Sequence, residues 1–208
     1  MMLWDETKMK DANDERKPPE KKWLDELGQT FPRYNDWEIF ELPFDIQVLR
    51  YPLLEGTHTL KNVKSFINTL RQLVILHSMQ VCHGDLLPRN SIFNSDGSGH
   101  LIDFDLSRKV GTRYVQGYNY NDFCHIRHPD AQAGREMEIE HDVYSIKAIS
   151  RVYFEETHWD GINACTDINE IITYLTQDGI SIPILDATGW PKRYDNETQQ
   201  QAVRTACC

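Results

Sequence analysis

The sequence predicts an α+β fold, and three patterns carry that expectation. Residues 37–51 alternate apolar and polar side chains in two short runs, residues 91–102 read as a hairpin, and residues 59–80 repeat apolar side chains at spacings of three and four. The first two patterns have the period of half-buried strands, and the third has that of an amphipathic helix. Short strands gather early in the chain, and the helical runs dominate the rest of it.

The elements follow in order. Residues 1–20 alternate charge sign around Pro18-Pro19 without an apolar period, the composition of a loose arm. Trp23, Leu24 and Leu27 then make a short helical stripe, and Gly28 reads as its C-cap. Trp37 and Ile39, then Phe40 and Leu42, alternate with acids, while Ile46, Val48 and Tyr51 alternate with polar residues, giving strands separated by a turn at Pro43. In 59–80 the residues Leu60, Val63, Phe66, Ile67, Leu70, Leu73, Val74 and Leu76 form one apolar helical face. Residues 91–94 are a short apolar strand, Asp96-Gly97-Ser98-Gly99 is turn chemistry that permits positive φ, and 100–102 returns as the second strand. A further helix over 138–154 has Val143, Ile146, Ile149, Val152 and Tyr153 on its apolar face. The last, over 167–176, pairs Asp167 and Glu170 in capping-box spacing with an Ile168, Ile171, Ile172, Leu175 stripe.

Composition narrows the function. The 208 residues are 40% apolar and 11% aromatic, enough for one domain with a self-sufficient core. A net charge of -10 argues against nucleic acid or an anionic membrane as partner. The 5 cysteines include no C-x-x-C pair, so neither a zinc site nor a disulfide framework is expected, and reduced thiols suit a cytoplasmic or nuclear protein. The charged start has no apolar leader, and no stretch reaches the ~18 apolar residues of a membrane span. The closing Cys207-Cys208 pair lacks the cysteine of a C-a-a-X signal, because Thr205 stands there.

The chemistry concentrates between Val81 and Ser107. There V-C-H-G-D-L-L-P-R-N-S-I-F-N is followed, across the hairpin turn, by D-F-D-L-S. An Asp-Leu-Pro or a D-x-D taken alone is ordinary turn chemistry. Here the hairpin returns the chain so that Asn90 and Asp103 lie side by side, where one divalent ion could touch both. Asp85 precedes Asn90 by five residues on the same loop, a carboxylate close to that pair in sequence.

These motifs resemble the protein-kinase-like superfamily, in particular the larger, mostly helical lobe of a divergent eukaryotic or fungal-type protein kinase. His83-Gly84-Asp85 resembles the H-R-D triplet, Asn90 the catalytic-loop asparagine, Asp103-Phe104-Asp105 the D-F-G motif, and His141-Asp142-Val143-Tyr144-Ser145 the D-V-x-S start of the central helix. The resemblance covers about 46–175 and implies ATP and Mg²⁺ as cofactors. By it, Asp85 is the catalytic base, Asn90 and Asp103 hold the metal and the nucleotide phosphates, and Arg89 is a candidate to meet the transferred phosphate. His83 orients the loop, and Asp142 braces it through its backbone. Residues 46–54 become the last small-lobe strand and the hinge that meets adenine, with Leu49 and Tyr51 against the nucleotide. The implied organisation is an arm over 1–20, a partial small lobe and hinge over 21–54, and a large lobe over 55–208.

Several positions depart from the pattern. Gly84 replaces the arginine that senses a phosphorylated activation segment, Leu87 replaces the catalytic-loop lysine, and Asp105 replaces the glycine of D-F-G. No A-P-E occurs, although His128-Pro129-Asp130-Ala131 holds a comparable place, and neither a G-x-G-x-x-G loop nor a V-A-I-K strand lysine is found. The small-lobe sheet is therefore expected to be a remnant or truncated. The resemblance implies transfer of the ATP γ-phosphate to a Ser/Thr hydroxyl of a protein substrate. Two alternatives stand beside it: an inactive pseudokinase or orphan lobe that binds a protein partner, and a small-molecule kinase of the aminoglycoside or choline type, which H-G-D-L-x-x-x-N and D-F-D also suit.

Overall fold

The computed structural model describes residues 2–5, 21–42, 46–51, 54–60, 62–116, 118 and 123–182. Strand β1 (Met2–Asp5) is followed by helix α1 (Lys21–Thr30), a 3-10 turn at Pro32–Asp36, and strands β2 (Glu38–Leu42) and β3 (Ile46–Arg50). These strands form one antiparallel sheet in the order β1-β3-β2, with Met2 opposite Leu49 and Ile39 opposite Leu49 from the other side. The loose arm expected over 1–20 thus begins with a paired strand. Backbone pairing to the edge of β3 decides it, a term the mixed charges of that segment do not report. The rest of that arm, the turn at Pro43 and the Cys207-Cys208 ending lie outside the described residues.

Gly28 is also not a cap. It lies inside α1, buried, and its missing side chain is the space that Asn35 occupies while donating from Nδ2 to the Gly28 carbonyl at 3.2 Å. The helix runs on to Thr30 because the tertiary contact, not the conformational cost of glycine, settles this position.

Helix α2 (Val63–Ser78) starts where Asn62 accepts the Ser65 N–H at 2.9 Å, later than residue 59, because that cap ends the extended approach. Its buried residues Phe66, Leu70, Leu73 and Leu76 form the centre of the main core. Trp23, Leu24 and Leu27 of α1 belong to the same core, so the first helix shares its interior with the elements that follow. At its end Gln80 adopts a φ of 59° and turns the chain into β4 (Val81–Cys82).

The predicted hairpin forms as β5 (Ser91–Phe93) and β6 (Gly99–Leu101), with Ser91 opposite Leu101. A polar residue holds it to α2. Gln72, fully buried, accepts from the Leu101 N–H at 2.9 Å and donates to the carbonyls of Gly99 at 2.6 Å and Asn68 at 3.0 Å. Tyr34 donates its hydroxyl to the same Gln72 and to the Leu101 carbonyl at 2.9 Å, and its burial pushes the phenol far above the ordinary range, so it stays a donor.

Strand β7 (Arg108–Lys109) pairs with β4, and the short length of both leaves no periodicity to predict them from. Helix α3 (Ile139–Tyr153) matches its predicted stripe, with Val143, Ile146 and Ile149 in the core. Helix α4 (Trp159–Ala164), which the sequence reading does not anticipate, precedes α5 (Ile168–Leu175). Asp167 caps α5 by accepting the Glu170 N–H at 2.9 Å, while Glu170 reaches back to the N–H of Thr166, one residue before the cap. No helix among the described residues is long and apolar enough to cross a membrane.

Candidate active site

The loop after β4 is held from beneath by one carboxylate. Asp142, near the start of α3, is buried and accepts the backbone N–H of His83 at 2.7 Å on Oδ2 and that of Gly84 at 3.0 Å on Oδ1. His77 of α2 meets Oδ2 through Nε2 at 3.1 Å. Burial by itself would raise this carboxyl, but the His77 bond and charge, with the Gly84 N–H, outweigh it and leave Asp142 below the ordinary carboxylate range. The expected backbone brace is therefore present.

His83 is fully buried and packs its ring against Phe104 at 5.1 Å. Its Nδ1 accepts the Asp85 N–H at 3.4 Å, which places the ring proton on Nε2 for donation to the Ile102 carbonyl at 3.1 Å. One imidazole thus joins the Asp85 loop to the strand that leads to Asp103. It has no path to act as a shuttle in solvent, consistent with its expected orienting role.

Gly84 sits in a crowded, left-handed position. Its φ is +77°, and a Cβ there would run into the Met137 methyl group and lie 2.8 Å from the Leu106 carbonyl oxygen. Both the backbone conformation and the space call for glycine.

Asp85 itself is 7% exposed. Asn90 donates through Nδ2 to the Asp85 carbonyl at 2.7 Å and to Asp85 Oδ2 at 3.0 Å. With the amide nitrogen committed to Asp85, the oxygen of Asn90 is the atom left for a cation. The hairpin register sets Asn90 against Ile102, whose N–H donates to the Asn90 carbonyl at 3.0 Å, and Asp103 is the next residue along. Asp103 takes a left-handed conformation, φ 63° and ψ 64°, unusual for a residue with a side chain.

Asn90 and Asp103 then line one cleft of about 320 Å³, together with Trp37, Tyr51, His58, Arg89, Ile102, Phe104 and Asp105. Of the residues singled out from the sequence, Tyr51, Arg89, Asn90 and Asp103 meet at this cleft. Asp85 stands behind it, joined through Asn90. Leu49 is placed by its backbone in the middle strand β3. Tyr51 stacks on Trp37 with ring centroids 4.6 Å apart, and Trp37 meets Phe104 edge to face at 5.8 Å. This aromatic wall was not legible in the sequence, where Trp37 reads only as a strand residue.

Burial first, and the nearby charge of Asp85 second, raise the Asp103 carboxyl, with Arg89 opposing the shift. Asn90 and Asp103 could offer hard oxygens to a divalent ion, with Asp105 on the same lining. Among the described residues no three His, Cys, Asp or Glu side chains form a metal cluster by themselves.

Sequence reading missed Arg127. It is buried at 4% exposure and ion-pairs with Asp85 on Oδ1. Its guanidinium lies 4.1 Å from the ring centre of Tyr118 and 5.0 Å from that of Phe123, while Arg89 lies 4.7 Å over the same Phe123 ring. Nothing local in His125-Ile126-Arg127-His128 signals a partner 42 positions earlier.

The likeness of the chain to known proteins is kinase-like and partial. The chain is 42% identical over 59 residues to a protein of Encephalitozoon cuniculi (strain GB-M1) named "Probable cell division protein kinase". That stretch is 28% of this chain and 22% of the other, so the likeness is to about a fifth of that kinase. No family model matches the chain.

Proposed function

We propose that the chain adopts a protein-kinase-like fold, a mostly helical large lobe with a remnant or truncated small-lobe sheet, and transfers the γ-phosphate of ATP to a protein Ser/Thr hydroxyl. The carrying observation is the meeting of Asn90 and Asp103 at one cleft with Asp85 bonded to Asn90 behind them. Magnesium bound with ATP supplies charge neutralisation on the phosphates. Asn90 and Asp103 hold the oxygen side of that site, Arg89 faces the phosphates from the cleft wall, and Asp85 orients the acceptor hydroxyl and takes its proton. Tyr51, stacked on Trp37, offers an aromatic surface to the base, with Leu49 on the strand leading into it.

The measurement is magnesium-dependent transfer of phosphate from labelled ATP to Ser/Thr peptide mixtures, by wild type and Asp85→Ala. Transfer by wild type with a loss on the order of 10²-fold or more in the variant is expected. Equal background signals from both would refute catalysis. A protein-binding lobe without turnover is the second reading, supported by the missing glycine-rich loop and strand lysine. It gains if magnesium has no effect on nucleotide affinity. Labelling of aminoglycosides or choline in preference to peptides would move the substrate to the small-molecule class.

A further inference from the structure

The proposed base, Asp85, is 7% exposed, and the next residues of its loop, Leu86 and Leu87, are buried in the core. The structure puts a guanidinium against Asp85 from elsewhere in the chain, from the short segment that carries Phe123 and Arg127.

We infer that Arg127 is a positioning residue for Asp85, holding its carboxylate from a segment 42 residues further along the chain. The inference rests on the phosphotransfer reading above. Asp85 is held at both oxygens, Oδ2 by Asn90 and Oδ1 by Arg127, which fixes the carboxylate in one orientation. Arg127 is in turn walled by the rings of Tyr118 and Phe123. Tyr118 also donates its hydroxyl to the Gly84 carbonyl at 3.0 Å, so one of the rings that wall the guanidinium is tied to the residue preceding Asp85. A buried ion pair contributes little stability beyond what apolar side chains of the same volume would give. Its effect lies in geometry: direct contacts join loop, base and cation.

In the reaction the acceptor hydroxyl oxygen forms a bond to the γ-phosphorus, the bond from that phosphorus to the bridging oxygen breaks, and ADP leaves with the electron pair. The hydroxyl proton passes to Asp85. Arg127 forms and breaks no covalent bond; it keeps Asp85 aimed at the hydroxyl, a placement that strongly affects rate when it is lost.

The test compares kcat and the KM for ATP of the full chain with those of Arg127→Met, Arg127→Gln and Arg127→Lys. The expected result is a fall in kcat on the order of 10²-fold for Met and Gln, with KM for ATP within about threefold of wild type, because Arg127 does not line the cleft. Arg127→Lys should recover at least about tenfold of that loss, since it restores charge. If Arg127→Met melts at the assay temperature, Arg127→Gln, which retains a donor and much of the volume, carries the comparison. A kcat for Gln within about twofold of wild type, any rise above wild type, or a Lys variant no better than Gln overturns the inference. Wild type that transfers no phosphate refutes the phosphotransfer reading, and this inference with it; transfer by wild type with an indifferent Arg127→Gln refutes this inference alone.

Discussion

Replacing Asp142 by asparagine should unfasten the loop that carries Asp85. The carboxylate accepts two backbone N–H groups, at 2.7 Å from His83 and 3.0 Å from Gly84, and a third bond from His77 at 3.1 Å, all inside the protein. An asparagine oxygen can replace one acceptor, but its NH₂ then faces a second N–H donor. At ~1–3 kcal/mol for a buried donor left unsatisfied, plus ~1.5–3 kcal/mol for a lost charged bond, the expected destabilisation is about 3–5 kcal/mol. In a chain of this size ~1 kcal/mol corresponds to ~2–4 °C, so the melting temperature should drop by roughly 6–20 °C. The pH dependence supplies a second signature. Asp142 titrates lower in the folded than in the unfolded chain, so its contribution is present above the unfolded value near ~3.9 and disappears as pH falls through the lower folded value. The variant should lose that part of the acid limb, and the wild-type and variant curves should converge in acid. Urea unfolding monitored by circular dichroism between pH 3 and 7 measures both, and hydrogen exchange at the His83 and Gly84 amides reports the loop directly. A variant within about 0.5 kcal/mol of wild type at neutral pH would refute the reasoning.

Gly84→Ala should destabilise by at least about 2 kcal/mol, because a side chain at φ +77° is strained and its Cβ meets the Leu106 carbonyl; thermal unfolding checks it, and an unchanged melting temperature would contradict the crowding. Gln72→Leu should cost about 2–4 kcal/mol despite being apolar and similar in size, since the Leu101 N–H and the Gly99 carbonyl lose their partner. Denaturant titration measures it, and a neutral or stabilising result would remove Gln72 as the tie between α2 and the hairpin.

Periodicity made α2 and α3 legible, because each buries one face against the same core and the burial leaves a repeat in the residues. Turn chemistry made the hairpin legible, and with it the approach of Asn90 to Asp103. Asp142 was readable for its role because its neighbours form a motif. Gly28 misled because a glycine after a helical stripe has two physical meanings, an end or a hole, and Asn35 decides between them from outside the helix. Gln72 stood unnoticed inside an apolar stripe, where period alone cannot register a polar hub. Arg127 and the Trp37–Tyr51 stack depend on contacts between remote segments, and single residues in unremarkable contexts carry no trace of them.

The crowding at Gly84 makes the order of substitutions matter in this loop. Any single substitution there strains the chain, because φ is +77° and the Leu106 backbone and the Met137 methyl group fill the space beside it. The Met137 side chain can be trimmed by mutation, but the Leu106 carbonyl belongs to the backbone and stays whatever side chain residue 106 carries. Variation here must therefore begin at the neighbours of residue 84 and not at residue 84 itself.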